Sequence, residues 1–267
     1  MSALPVTPPT RVLRYGPAPQ QVGDLRLPKG RGPFPVALLI HGGCWTEGFG
    51  APADMAPLAG ALTARGIATW NIDYREVGDP GGGWPGSFQD WGGAADRLRA
   101  VAKANRLDLK RVVVIGHSAG AQAALWVAGR SRVPKTSDIW TARPLRPLAV
   151  VAIDGPGDLA PFVGVDAKVC GKPVIVPLMG GQPVDQPARY RAASPFALHP
   201  LGVKQYVLPS TVYLPAEAQA YAAHGEGLGD TVEVTPLTDA GHFGMLVPGT
   251  PAFATTEATI LKAFGIR

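Results

Sequence analysis

The chain has 267 residues, 46% of them hydrophobic and 17% charged, which supplies a sizeable core and excludes a disordered chain. Its formal charge is +5, but Lys and Arg are scattered rather than gathered into a stripe, so no nucleic-acid partner is expected. Two cysteines make no disulfide framework, the N-terminus has no apolar signal core, and no window nears the roughly 18 apolar residues of a membrane span; a reducing cytoplasm is the expected setting.

Along the chain, residues 1–34 are rich in Pro and Gly, with one alternating stretch at 21–27 that reads as a strand or hairpin. Residues 35–40 (PVALLI) form a continuous apolar run, as expected of a strand buried on both faces. Helical spacing at Met55, Leu58 and Leu62 predicts a helix over 54–65, with Asp54 as N-cap and Gly66 closing it. A strand follows at 67–74, then a Gly-rich loop and a helix over 88–105. Residues 111–115 (RVVVI) predict a second buried strand and 119–129 a helix. Further strands are expected at 147–153, 205–208 and 231–235, and a closing helix at 252–264. Strands alternating with helices predict an α/β fold with a mostly parallel central sheet and helices on both faces. No linker or repeat divides the chain, so 1–267 reads as a single domain, with 155–200 an irregular, cap-like cover.

Gly116-His117-Ser118-Ala119-Gly120 lies between the RVVVI strand and an Ala-rich helix, the strand–turn–helix context of a nucleophile elbow. Ser118 is the candidate nucleophile, and Gly116 and Gly120 allow strand and helix to approach around it. After the earlier buried strand comes His41-Gly42-Gly43-Cys44-Trp45. Acyl transfer needs donors preorganised for an oxyanion, and the backbone amides of Gly43, Cys44 and Ala119 are the candidates. Cys44 itself reads as a small buried side chain, and His41 as a structural hydrogen-bonder. The base follows the nucleophile in chain order, which selects His242. His199 and His224 read as surface residues, and His117 as pointing away from the site.

The combination HGGCW, WNIDYREVGDPGGGWPGSFQDW, GHSAG and GHF resembles the α/β-hydrolases related to bacterial esterases, feruloyl-esterase-like proteins and kynurenine formamidases. The resemblance covers residues 14–250 and implies the α/β-hydrolase fold and cofactor-free hydrolysis of a carboxylic ester or small amide. It also implies a triad acid after the penultimate strand, within a His-Gly-x-x-Asp pattern. Here that segment reads QYVLPSTVYLP, with Thr211 about where the aspartate belongs and no carboxylate from Val203 to Pro215.

Asp154, ending the 147–153 strand, is the favoured replacement. Glu217, Asp239 and a Ser–His dyad steadied by Thr211 or a water are the alternatives. Trp45 and Trp84, with Phe162, are candidates for an apolar substrate pocket. Tyr74 and Arg75 read as loop-fixing residues. No zinc spacing, phosphate loop or dinucleotide fingerprint is present, so neither metal nor organic cofactor is expected. The expected function is a serine esterase acting through an acyl-enzyme on small esters. An arylformamidase-type amidase and a non-catalytic ligand-binding homologue are the alternatives.

Overall fold

The computed structural model describes residues 7–237 and 240–266. Its strands are β1 (Arg11–Arg14), β2 (Val22–Arg26), β3 (Phe34–Ile40), β4 (Ala68–Ile72), β5 (Leu107–His117), β6 (Ala149–Ile153), β7 (Lys204–Leu208) and β8 (Val232–Val234). They form one sheet in the order β1-β2-β4-β3-β5-β6-β7-β8. The β1–β2 hairpin joins β4 antiparallel, and every other neighbouring pair is parallel.

The apolar runs explain why β3 and β5 lie at the centre. All seven residues of β3 are buried, and period-2 alternation divides them between two cores: Val36, Leu38 and Ile40 face one, Ala37 and Leu39 the other. In β5, Val112 and Val114 pair with the first core, Val113 and Ile115 with the second.

The helices are α1 (Pro52–Ala64), α2 (Gly86–Asn105), α3 (Ala119–Gly129), α4 (Asp166–Cys170), α5 (Ile175–Met179), α6 (Pro187–Ala193), α7 (Pro195–Leu198), α8 (Pro215–Gly227), α9 (Gly241–Gly244) and α10 (Pro251–Ala263). The first core is closed by α2, α3 and α8 through Phe88, Trp91, Trp126 and Tyr221; the second by α1 and α10 through Met55, Leu58, Leu62, Phe253 and Ile260. Each such side chain, taken fully out of water, contributes roughly 1.5–3 kcal/mol before entropy is counted.

Several expectations are corrected. Helix α1 begins at Pro52 rather than Asp54, because Pro suits the first turn and the Asp54 carboxylate accepts the Ala51 N–H from inside it (2.9 Å). The 155–200 cover contains the short helices α4 to α7. Asp166 organises its first turns by accepting the N–H groups of Gly164, Ala167, Val174 and Ile175 at 2.7–2.9 Å. Burial pushes the Asp166 carboxyl up, but those four amides outweigh it and hold it below the ordinary range.

The His199 side chain is buried, not superficial. Its Nδ1 lies 2.6 Å from Asp230 Oδ2, and Asp230 also accepts the Leu201 and Gly202 amides. Cys44 and Cys170, read as unpaired, form a disulfide with Cα atoms 6.0 Å apart, which fastens the loop after β3 to the end of α4.

Candidate active site

At the end of β5 the chain turns sharply into α3. Ser118 occupies the turn with φ 56° and ψ −123°, a conformation that side chains seldom adopt. Its N–H donates to Ile153 O (2.8 Å) and its carbonyl accepts the Ala121 N–H (2.8 Å), so the turn is fixed from both sides. The flanking glycines are demanded by contact: a Cβ on Gly116 would lie 1.8 Å from Gly120 O, and one on Gly120 2.2 Å from Ile40 O. Ser118 therefore sits over the parallel sheet's C-terminal edge, at the N-terminus of α3, with 6% of its surface exposed.

Beside it, the loop after β3 carries three consecutive left-handed residues: Gly43 (φ 113°), Cys44 (φ 53°) and Trp45 (φ 53°). Two non-glycine residues in this region cost on the order of 1–3 kcal/mol each, so the surroundings must hold them. Thr46 does so in part, its N–H donating to Gly43 O and its hydroxyl to Cys44 O (both 2.9 Å). The His41 ring donates from Nδ1 to Gly42 O (2.6 Å) and stacks on Tyr74, whose hydroxyl donates to His41 O (3.1 Å). Arg75 braces the next segment through paired bonds to Asp90 (2.7 and 2.9 Å). Among the described residues, the N–H groups of Gly43, Cys44 and Ala119 donate to no protein acceptor.

His242 lies on α9, and its Nδ1 is 2.7 Å from Asp154 Oδ2. Asp154 follows β6 directly, is fully buried and has φ 46°. Its Oδ1 accepts from the N–H groups of Ser210, Val212 and Tyr213 at 2.9–3.1 Å, and its Oδ2 from the Thr211 N–H at 3.2 Å. Burial pushes the Asp154 carboxyl up; the bonds from His242, Tyr213 and Val212 prevail and hold it below the ordinary carboxylate range. An ionised carboxylate in this position fixes the His242 tautomer with its proton on Nδ1, leaving Nε2 as the basic nitrogen. Glu217 accepts the Leu214 N–H (2.8 Å) at the start of α8 and does not join His242. Asp239 lies outside the described residues.

Ser118 and His242 line one cleft of about 490 Å³, together with Gly42, Gly43, Cys44, Thr211 and His117, which borders the cleft rather than pointing away from it. Its apolar wall consists of Phe49, Val169, Val212, Phe243 and the Cys44–Cys170 disulfide. Sequence reasoning missed this wall: Phe49 and Val169 belong to no motif, and Phe243 entered only as the residue after the base in GHF.

Trp45 and Trp84, proposed for the pocket, are not in it. Trp45 turns into the core, where its indole N–H donates to Gln122 (3.2 Å). Trp84 packs on Phe88, donates to Asp138 (3.1 Å) and borders a different hollow beside Arg189. Phe162 likewise lines a separate hollow, with Tyr213 and Tyr221. A large aromatic next to a motif is drawn into the nearest core when a polar partner awaits its N–H.

Comparison with known proteins bears on the family and the fold. A family model described as BD-FAE, an α/β-hydrolase esterase family, matches residues 24–199, about two thirds of the chain. Esterase EstD of Thermotoga maritima is 32% identical over 139 residues, covering 49% of this chain and 32% of that protein, so the match spans about a third of the curated relative's length. Among solved structures, a truncated carbohydrate esterase from gut microbiota superimposes with a TM-score of 0.78 at 18% identity, over 97% of this chain and all of that one. An esterase of the Planctomycetes species Thermogutta terrifontis, Est2, gives a TM-score of 0.73 at 17% identity, covering 94% of this chain and 90% of its own. At such identities the structural likeness establishes the α/β-hydrolase fold.

Proposed function

From the premise that this chain belongs to the BD-FAE family of α/β-hydrolase esterases, we propose that it is a serine hydrolase of small carboxylic esters, with Ser118, His242 and Asp154 as its catalytic triad. The observation that carries the reading is the 2.7 Å contact of His242 Nδ1 with Asp154, on the cleft that also holds the strained Ser118. Ser118 Oγ attacks the ester carbonyl while His242 Nε2 takes its proton. The amides of Gly43, Cys44 and Ala119 receive the oxyanion, and Asp154 steadies the imidazolium. The same nitrogen returns the proton to the leaving alcohol, and water repeats the sequence on the acyl-enzyme.

The apolar wall of Phe49, Val169 and Phe243 suits short acyl or aryl groups. We read the chain as one hydrolase domain whose cover, residues 155–200, contributes Val169 and Cys170 to that wall. The cytoplasmic placement expected from composition stands against the Cys44–Cys170 bond, because disulfides persist in oxidising compartments; the bond supports such a compartment. No helix among the described residues is long and apolar enough to cross a membrane.

The test is a panel of nitrophenyl esters of rising chain length, with an N-formyl arylamine alongside. Thermogutta terrifontis esterase 2 is known phosphoramylated by tabun and phosphonylated by sarin, so a fluorophosphonate is the matching probe here. The wild type turns over the short esters and is labelled, and Ser118→Ala does neither. A wild type inert to both ester panel and probe would overturn the proposal.

A further inference from the structure

The His242 imidazole is held by Asp154, yet its backbone lies on α9, a four-residue turn with no buried residue. A base carried on so exposed a turn needs a second point of attachment if its ring is to return to the same place relative to Ser118. The structure provides one. His117, at the end of β5 and covalently adjacent to the nucleophile, is 1% exposed, and its Nε2 lies 2.7 Å from the His242 carbonyl oxygen. The two imidazoles also face each other, with centroids 4.5 Å apart and planes inclined by 37°, and Phe243 closes the group 5.6 Å from His117.

We propose, on the triad reading above, that His117 is a positioning residue for catalysis, which fixes the base relative to the nucleophile by donating its Nε2–H to the His242 backbone carbonyl. Only a donor can serve a carbonyl oxygen, so the neutral ring carries its proton on Nε2. Burial pushes the His117 imidazole down to about 4, with the charge of His242 acting in the same sense and the bond to the His242 carbonyl and the charge of Asp154 opposing. The ring is therefore neutral when its neighbour becomes an imidazolium, and no like charge opposes the proton that His242 accepts. His117 borders the cleft but does not handle the transferred proton in this scheme. It joins the elbow to the base loop as a rigid spacer, while Asp154 sets the orientation of the ring. A base displaced by about 1 Å can lose on the order of 100-fold in rate.

Three variants separate the hydrogen bond from packing. In His117→Gln the side-chain nitrogen stands as many bonds from the backbone as Nε2 and can still donate to the carbonyl. In His117→Asn it stops one bond short, and His117→Phe keeps a ring without a donor. With the short nitrophenyl ester that the wild type hydrolyses best, Gln retains kcat within about 5-fold. Asn and Phe lose roughly 10- to 100-fold in kcat with KM within about 3-fold, and fluorophosphonate labelling of Ser118 slows in parallel. Equal kcat in all three overturns the proposal. So does a Gln variant as impaired as Phe, or a loss that follows the melting temperature across the series, since either would make His117 a packing residue. Failure of the triad reading is distinguishable, because it would appear as a wild type without turnover or labelling.

Discussion

Thr211 donates its backbone N–H to Asp154 Oδ2 at 3.2 Å and its hydroxyl to the same oxygen at 3.4 Å, and that oxygen is the one His242 meets at 2.7 Å. The segment that the family resemblance would have carry the acid thus encloses Asp154, the carboxylate proposed for that role, which the neighbouring strand supplies. Ser210, Val212 and Tyr213 complete the enclosure through their amides. Asp154→Asn keeps the shape but forfeits the charge and favours the wrong tautomer, for which a kcat loss of roughly 10⁴-fold is expected. Thr211→Val removes one weak donor and costs a few-fold at most, since hydrogen bonds to a carboxylate are worth about 1.5–3 kcal/mol only at good geometry. Glu217→Gln stays within about 2-fold, because Glu217 serves α8. Steady-state kinetics of the three variants check the ordering, and near-wild-type turnover in Asp154→Asn would reassign the acid.

The sheet and the elbow were legible because both rest on local signals: continuous apolar runs for β3, β5 and β6, and a motif whose glycines are required by backbone approach at 1.8 and 2.2 Å. Asp154, whose role as the acid is part of the proposal, was legible in its place at the C-terminal edge of the sheet because it ends a readable strand. The cover was not, since α4, α5 and α7 have four or five residues each, too few to show a helical period. Nor were the true cleft walls, as Phe243 is 63% exposed and hydrophobicity alone would have buried it before Trp84. The cysteine pairing joins residues 126 positions apart, and nothing local in either sequence announces a partner at that distance.

That pairing gives a second prediction. Cys44 belongs to the left-handed stretch beside Ser118, and Cys170 ends α4 of the cover. A bridge closing so long a loop contributes roughly 2–5 kcal/mol, by constraining the unfolded chain. Reduction, or the pair Cys44→Ser with Cys170→Ser, lowers the melting temperature by several degrees. It also slows turnover, because the loop proposed to hold the oxyanion loses one of the restraints on its positive φ values. Calorimetry and ester kinetics with and without reductant, with alkylation to count thiols, provide the measurement. An unchanged melting temperature in fully alkylated protein would show the bridge to be idle.

The placement of the aromatic residues yields a third. Phe49 and Val169 wall the cleft and Trp84 does not. Losing about 1–2 kcal/mol of apolar contact changes selectivity by roughly 5- to 30-fold. Phe49→Ala and Val169→Ala accordingly reduce kcat/KM for butyl or aryl esters more than for acetyl esters. Trp84→Ala leaves the ratio between acyl chains alone while lowering stability, since it strips contacts from Phe88 and the bond to Asp138. A selectivity change in the Trp84 variant, with none at Phe49, would reverse this assignment.

The last prediction concerns Glu76, which the mechanism does not use. It is 5% exposed, its Oε1 has no hydrogen-bond partner, and its carboxyl is pushed up from 4.5 to about 9. Burial is the first cause; the charges of Asp73, Asp79, Glu47 and Asp54 add to it. The folded chain therefore holds a proton on Glu76 over a range in which the unfolded chain has released it. Where the folded state binds more protons, stability falls as pH rises. The contribution of Glu76 is whole below about 4.5 and drains away between there and about 9. Each unit in that interval corresponds to about 1.4 kcal/mol, so about 5 kcal/mol is the ceiling on what is forfeited by pH 8. Glu76→Gln places a neutral group of the same shape in the site and removes this slope. Its melting temperature at pH 8 exceeds the wild type's by roughly 5 °C, and the two converge near pH 5. Thermal unfolding from pH 5 to 9 measures both limbs. Parallel curves for the two proteins would mean that Glu76 is ionised in the fold and reaches water or a cation.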